Sequence, residues 1–317
     1  MKLIIMIPCL NEAEQLAETM ATLPRTLDGF DELEIMVIDD GSTDGTADVA
    51  RASGADHILT NPNNLGLAKS YVIGLERALT LGADVIVNFD ADNQYPAAFI
   101  PDLIAPILDG RADLTIGARP MSEIEHFSPA KRVLQRVGSW VVRQASGGLD
   151  VADATSGFRA VSKRAAIRLN TFSSYSYTLE TLIQAGRMNI PVVSVPIKVN
   201  PPTRPSRLMR SMWGYIGKST MTILRIGFLY YPLRFFFWSA IIVALPGILA
   251  ILRFLLLYAR GDGGGNIQSL ILGTGLFAAG VILLIGGILA DLVAANRVLL
   301  QELRSRMLEE KILRLRR

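Results

Sequence analysis

Two apolar stretches near the C-terminus constrain this chain more than any other feature. They read FFFWSAIIVALPGILAILRFLLLYA and IQSLILGTGLFAAGVILLIGGILADLVAA. Each is long enough to cross a hydrocarbon core, which takes roughly 20 apolar residues. The second is uncharged from Ile267 to Ala290. The first holds Pro246 and, near its far end, Arg253, whose long side chain can reach the interface. A helix buried in a soluble core would keep a polar face, and neither stretch has one. They are read as transmembrane helices over about 234–258 and 267–292, inside a membrane segment spanning 232–296. The short connection RGDGGGN makes them a hairpin.

The rest of the chain has a different character. Half of the 317 residues are hydrophobic. The mean hydropathy of +0.34 is too high for an ordinary soluble enzyme and too low for a protein that is membrane throughout. KLIIMIP, LEIMVIDD, HILTN and DVIVNFD read as strands, and DLTIGAR and VVSVPIKV as later strands of the same sheet. Between the earlier ones lie EAEQLAETMATL, GTADVARASG and GLAKSYVIGLERALTLG, which read as helices. Apolar runs without polar alternation indicate strands covered on both faces. Strands alternating with helices indicate a doubly wound, mostly parallel α/β sheet. This domain is expected over 1–205. Residues 206–231 mix Arg and Lys with Trp, Tyr, Met and Leu, which suits amphipathic helices lying in a membrane interface. Residues 297–317 form a basic tail.

Charge and cysteine usage set the surroundings. The net charge is only +3, so no nucleic acid or other globally charged partner is implied. The single cysteine, Cys9, rules out an intramolecular disulfide framework and fits a reducing compartment. The N-terminus has neither the apolar length nor the cleavage site of a secretion signal. The Arg-rich tail and the basic segment before the first span fall on one side of the hairpin, and the positive-inside rule makes that side cytoplasmic. The expected location is the cytoplasmic membrane, multi-pass, with both termini and the α/β domain cytosolic. Gly275 with Ala279, and Gly286 with Ala290, are small-xxx-small pairs that permit close helix contact within the hairpin or between subunits of a homo-oligomer.

In an open parallel sheet, ligands bind outside the carboxyl ends of the strands. Three strands here end in polar groups: Asn11 and Glu12 after the first, Asp39 and Asp40 at the second, and FDADNQ after the fourth. Any one set could be a capping turn. Three on one edge point to a binding crevice. In an extended segment residues i and i+2 face the same way, so Asp90 and Asp92 converge and Gln94 can join them. Two carboxylates that close repel unless a cation neutralises them. Oxygen donors suit Mg²⁺ or Mn²⁺, and no His/Cys cluster favours zinc. His57 and His126 stand alone in the sequence. Arg119, Lys131, Arg132, Arg136 and Arg143 follow the fifth strand, then Arg159, and Arg204, Arg207 and Arg210 precede the membrane. Arg pairs well with phosphate, so an anionic lipid head group would account for them, as in part would general attraction to acidic phospholipid.

In order, IPCLNEAE, IDDGSTDGT, NLGLAKSYVIGLERA, FDADNQYP, GAR and TSGFRA resemble the family-2 inverting glycosyltransferases. More narrowly, the chain resembles the dolichol-phosphate mannose synthase branch, which includes bacterial polyprenyl-phosphate glycosyltransferases with two C-terminal membrane helices. The resemblance covers nearly the whole chain. It implies a GT-A fold, a UDP- or GDP-linked sugar donor and an undecaprenyl or dolichyl phosphate acceptor. It further implies that Pro8, Asn11 and Glu12 line the nucleotide pocket, that Asp39 or Asp40 reads the base, and that Lys69 lies beside it. Asp90, Asp92 and Gln94 would hold the metal and through it the diphosphate. Arg119, Arg132, Ser156 and Arg159 would meet the acceptor phosphate or the diphosphate, and Arg204 and Arg207 would close over the site. Arg136 stands where some relatives have a small hydroxyl residue, which leaves its place in the acceptor site open. QRVGSW does not match the QxxRW motif of processive synthases, which argues against polymerisation. A transferase acting on a hydroxyl acceptor, and a non-catalytic nucleotide-sugar scaffold, are the competing expectations.

Overall fold

The computed structural model of the chain describes residues 1–119, 140, 142–149, 151–171, 177–200, 221, 225, 228, 230–261 and 263–315. They divide into two compact units, one of residues 1–219 with 301–317, the other of residues 220–300.

The first unit is built on seven strands: β1 (Lys2–Cys9), β2 (Glu32–Asp39), β3 (His57–Thr60), β4 (Val85–Asn88), β5 (Leu114–Ala118), β6 (Arg159–Ser162) and β7 (Val192–Pro196). Their order is β3-β2-β1-β4-β6-β5-β7. All neighbouring pairs run parallel except those of β6, which is antiparallel to β4 and β5. Helices α1 (Ala13–Thr22), α2 (Thr46–Ala52), α3 (Leu67–Thr80), α4 (Ile100–Leu108), α5 (Lys163–Arg168) and α6 (Tyr177–Arg187) cover it.

The central strand shows why the apolar runs lack alternation. Successive β1 side chains point to opposite faces. Ile4 and Met6 join a core with Tyr71 and Leu75 of α3, Ala166 of α5 and Leu182 of α6. Leu3, Ile5 and Ile7 join a second core with Leu16 and Met20 of α1 and Leu103 and Ile104 of α4. Both faces are buried, so both need apolar side chains.

Register then places the polar ends together. Cys9 lies beside Asp39, Asp39 beside Thr60, Met6 beside Asn88, and Asn88 beside Arg159. Because β6 runs the other way, its first residue falls at the edge where β1, β2 and β4 finish. In the sequence TSGFRA reads as a site motif only; the structure shows that its last two residues also open a strand.

The second unit holds α7 (Pro232–Ala259) and most of α8 (Ile267–Leu315). By length and composition both are apolar enough to cross a membrane, and most of each apolar stretch is left unburied. They pack as an antiparallel hairpin. A Cβ on Gly273 would fall 2.8 Å from the Gly247 carbonyl, one on Gly280 would fall 2.6 Å from the Ala244 Cβ, and one on Gly287 would fall 2.6 Å from the Phe236 Cβ. The contact stripe is therefore Gly273, Gly280 and Gly287. The small-xxx-small pairs do not form this contact: a Cβ on Gly275 or Gly286 would meet nothing within 4 Å among the described residues.

Residues 301–315 continue α8 without a break into the α/β unit. Leu308 and Ile312 are buried in the core that holds α3, α5 and α6. Gln301 Nε2 donates to Gln184 Oε1 at 2.8 Å, Ser305 Oγ donates to the Ile167 carbonyl at 3.1 Å, and Arg304 pairs with Glu76. The segment expected as a basic tail is thus an integral helix of the α/β unit.

Candidate active site at the carboxyl edge of the sheet

The loops after β1 and β2 are laced together. The Asn11 amide donates to Ser42 Oγ at 2.9 Å and Asn11 Oδ1 accepts from the Thr43 amide at 2.9 Å. The Glu12 amide donates to Thr46 Oγ1, and the Ala13 amide to Asp44 Oδ2. Burial raises the Asp44 carboxyl, but bonds from Thr46 and Ala13 outweigh it and hold it below its usual value. Asn11 sits at φ 54°, a left-handed conformation that Asn tolerates.

Asp39 and Asp40 do different work. Asp40 is buried and accepts from Asn61 Nδ2 at 2.8 Å, the Leu65 amide at 2.9 Å and the Gly66 amide at 2.8 Å. Its two oxygens anchor the loop that leads into α3. Of the two residues named for base reading, Asp40 is therefore a structural anchor. Asp39 keeps Oδ2 without a hydrogen bond among the described residues, while Oδ1 accepts from the Ser42 amide at 3.0 Å. Gly41, at φ 76°, lets the two loops close in: a Cβ there would come 2.6 Å from the Asn63 carbonyl carbon. Pro8 is buried in β1, and Lys69 is exposed in the first turn of α3.

The acidic loop is held at several points. Thr19 Oγ1 donates to the Ala91 carbonyl at 2.8 Å. Asp92 Oδ1 accepts from the Gln94 amide at 3.1 Å. Asn200, just past β7, donates its amide to the Gln94 carbonyl at 2.9 Å and its Nδ2 to the Asn93 carbonyl at 2.8 Å. Sequence reading missed Asn200. Its only signal was its place before the PPTRPSR segment. Asp90 lies just past the end of β4 against Gly157, where a Cβ would come within 2.9 Å of both carboxylate oxygens. Burial first, then the Asp92 charge, push the Asp90 carboxyl up to about 7, against the pull of Arg119 and Arg159.

This pair fits a hard divalent cation. Asp90 occupies a cradle that a methyl group would fill, and its ionised form lacks the neutralising charge that a cation would bring. Among the described residues no group of three or more His, Cys, Asp or Glu forms a metal site. A Mg²⁺-type site needs only one or two carboxylates, with phosphate oxygens and water completing the shell.

The basic residues separate into classes. Arg119 pairs with Asp153 through Nε at 2.6 Å and Nη2 at 3.1 Å, and reaches Thr155 Oγ1 at 2.8 Å. Asp153, in DVADATSG, was not singled out from the sequence. Burial raises its carboxyl, but Arg119 outweighs this and holds it low. Arg159 is fully buried. Its Nε donates to the Ser156 carbonyl, Nη1 to the Thr178 carbonyl and Thr181 Oγ1, and Nη2 to the Ala154 carbonyl, all at 2.8–2.9 Å. These bonds turn the Arg159 guanidinium inward, to three backbone carbonyls and the Thr181 hydroxyl. Ser156 is likewise fully buried. Arg143 is exposed. Arg132, Arg136, Arg204 and Arg207, with Lys131, His126 and Arg210, lie outside the described residues. His57 pairs with Glu34 at 2.9 Å, near the start of β2 and away from this edge.

Residues 4–169 match the family model described as glycosyl transferase family 2. The chain is 30% identical to an undecaprenyl-phosphate mannosyltransferase of Micrococcus luteus, over 72% of this chain and 94% of that protein. It is 29% identical to a UDP-N-acetylglucosamine–dolichyl-phosphate N-acetylglucosaminyltransferase of Methanococcus voltae, over 61% of this chain and 84% of that one. In fold it is similar to glucosyl-3-phosphoglycerate synthase of Mycobacterium tuberculosis, solved with Mn²⁺, UDP and glucosyl-3-phosphoglycerate. The TM-score is 0.52 and the identity 21%, over 71% of this chain and 78% of that one.

Proposed function

The chain belongs to glycosyl transferase family 2, and on that premise we propose that it moves a single sugar from a UDP- or GDP-sugar to a polyprenyl phosphate, with inversion. One observation carries this reading: a sheet edge bearing Asp90 and Asp92 belongs to a chain that also has two helices fit to cross a membrane. A membrane-anchored domain meets a lipid acceptor more readily than a soluble one. The two relatives support the acceptor class, because their names share a polyprenyl phosphate while their sugars differ.

The acceptor phosphate attacks the anomeric carbon, and the nucleoside diphosphate leaves from the opposite face. A phosphate monoester is mostly ionised near neutral pH, with a second pKa of about 6, so no strong general base is needed. Asp90, Asp92 and Gln94 would hold Mg²⁺ or Mn²⁺, which supplies Lewis-acid stabilisation of the leaving diphosphate. Asp39 would accept from the base or ribose through its open oxygen. Arg119, freed from Asp153 or shared with it, would meet phosphate charge, aided by Arg132, Arg136, Arg204 and Arg207. The α/β domain and both termini would face the cytosol. Residues 301–315 pack on the same unit as residue 1 onward, which supports an even number of crossings between them.

The test is a product analysis. Membranes containing the protein are given labelled nucleotide sugars, polyprenyl phosphate and Mg²⁺ or Mn²⁺, with a parallel arm in EDTA. A labelled polyprenyl-phosphate sugar, lost in EDTA, is expected. Transfer only to hydroxyl acceptors, or donor binding without release of nucleoside diphosphate, would overturn the proposal.

A further inference from the structure

Hydrogen bonds hold the acidic loop at Ala91, Asp92, Asn93 and Gln94, but not at Asp90, whose carboxylate makes no hydrogen bond among the described residues. Its seat is Gly157. A Cβ there would meet both Asp90 oxygens at 2.9 Å and the Tyr177 hydroxyl at 3.0 Å, so these groups converge on one point.

Two side chains hold the Gly157 peptide. Asn88 Nδ2 donates to its carbonyl at 2.8 Å, and the Tyr177 hydroxyl donates to the same oxygen at 3.3 Å. Asn88 also donates to the Tyr177 hydroxyl at 3.0 Å, which leaves that hydroxyl's proton for Gly157. The Tyr177 ring is fixed in turn. It stacks on Tyr71 at 4.0 Å between centroids with the planes 14° apart, and Arg159 lies 5.8 Å from its centroid. Arg159 clasps the Ala154 and Ser156 carbonyls to the first turn of α6. Asn88, Tyr71, Tyr177 and Arg159 are all buried, so the arrangement is not loosened by water.

We propose that Asn88 and Tyr177 are positioning residues for Asp90: their shared bonds to the Gly157 carbonyl fix the glycine on which that carboxylate rests, and so present it to a divalent cation. The inference rests on the reading of Asp90 and Asp92 as the metal ligands. The physical reason is preorganisation. Two carboxylates brought together without a cation repel, and a rigid seat removes the cost of ordering Asp90 when the cation arrives. Groups that orient a metal ligand in this way typically carry about 10–100-fold of metal affinity.

The experiment measures Mn²⁺ binding to the full-length protein in detergent, by the electron paramagnetic resonance signal of free Mn²⁺, beside thermal melts of the metal-free protein. Tyr177→Phe keeps the ring stack and removes the hydroxyl. It should weaken Mn²⁺ by about 10-fold with little change in the melt. Gly157→Ala pushes directly on both Asp90 oxygens and should weaken Mn²⁺ by about 100-fold. If Tyr177→Phe binds Mn²⁺ as the parent does, whatever its melt, Tyr177 and Asn88 only satisfy buried polar groups and the inference falls. If the parent itself binds no Mn²⁺, the metal reading falls and this inference with it.

Discussion

Adjacent aspartates at one strand end illustrate how much a residue's role depends on its neighbours. Asp40 closes three hydrogen bonds to the 61–66 loop, and Asp39 closes one. Removing Asp40 takes the acceptor from the buried Asn61 amide and from the part-buried Leu65 and Gly66 N–H groups, and a buried donor left unpaired costs about 1–3 kcal/mol. Asp40→Ala should therefore lower the melting temperature by several degrees, while Asp39→Ala should leave the melt nearly unchanged and weaken nucleotide binding by calorimetry. Asp153 gives a pH signature. Its folded-state carboxyl is held low by Arg119 against the effect of burial, so it contributes stability above the unfolded value of about 4 and loses it as pH falls further. Asp153→Asn should be less stable than the parent near neutrality, and the gap should close in melts taken below about pH 4. The acidic loop was legible because it follows an apolar run directly, although Ala91 and Asp92 lie in a turn rather than in the extended segment expected. The inward turn of Arg159 was not, because its acceptors lie on α6 and on the loop before β6.

Among elements, the strands were legible wherever both faces are buried, as in β1, β2 and β4. β6 escaped because it is short, begins with a buried Arg and follows a loop that already read as a motif. Its antiparallel course matters for the site, since it carries residues 153–158 to the edge where the parallel strands end. The helices α7 and α8 show the same limit. Their existence follows from length and composition, but the face they share depends on rotation about the helix axis. Gly280→Leu should splay the hairpin and lower its thermal stability in detergent, because a Cβ there already meets Ala244 at 2.6 Å and the Ala240 carbonyl at 3.0 Å. Gly275→Leu, with open space around it, should not. Equal melts for the two variants would contradict this contact stripe.

The whole molecule is not a domain followed by an anchor. Its α/β unit is discontinuous in sequence: residues 1–219 are completed by 301–317. Leu308 and Ile312 are buried in a core shared with residues of β1, α3, α5 and α6. A fragment ending before α7 should aggregate or melt well below the parent, and joining residues 301–317 to it through a flexible linker should restore a monomeric, cooperatively melting species. Burying two large aliphatic side chains is worth roughly 3–6 kcal/mol, a large share of a typical domain's stability. Size-exclusion chromatography with thermal melts decides the outcome; an equally stable fragment without 301–317 would show that the docked helix contributes nothing.

Local sequence settles the doubly wound sheet, the pair of apolar helices and the acidic loop at a strand end. Those features depend on periodicity and run length, both of which act over a few residues. Only tertiary structure decided which polar groups remain for a ligand. It turned Asp40 and Arg159 inward, set Asp90 on Gly157, and brought Asn200 and the last turns of α8 onto the α/β unit. The reason is physical: a side chain's role is set by what satisfies its charge and hydrogen bonds, and here those partners stand up to 228 residues apart in the chain.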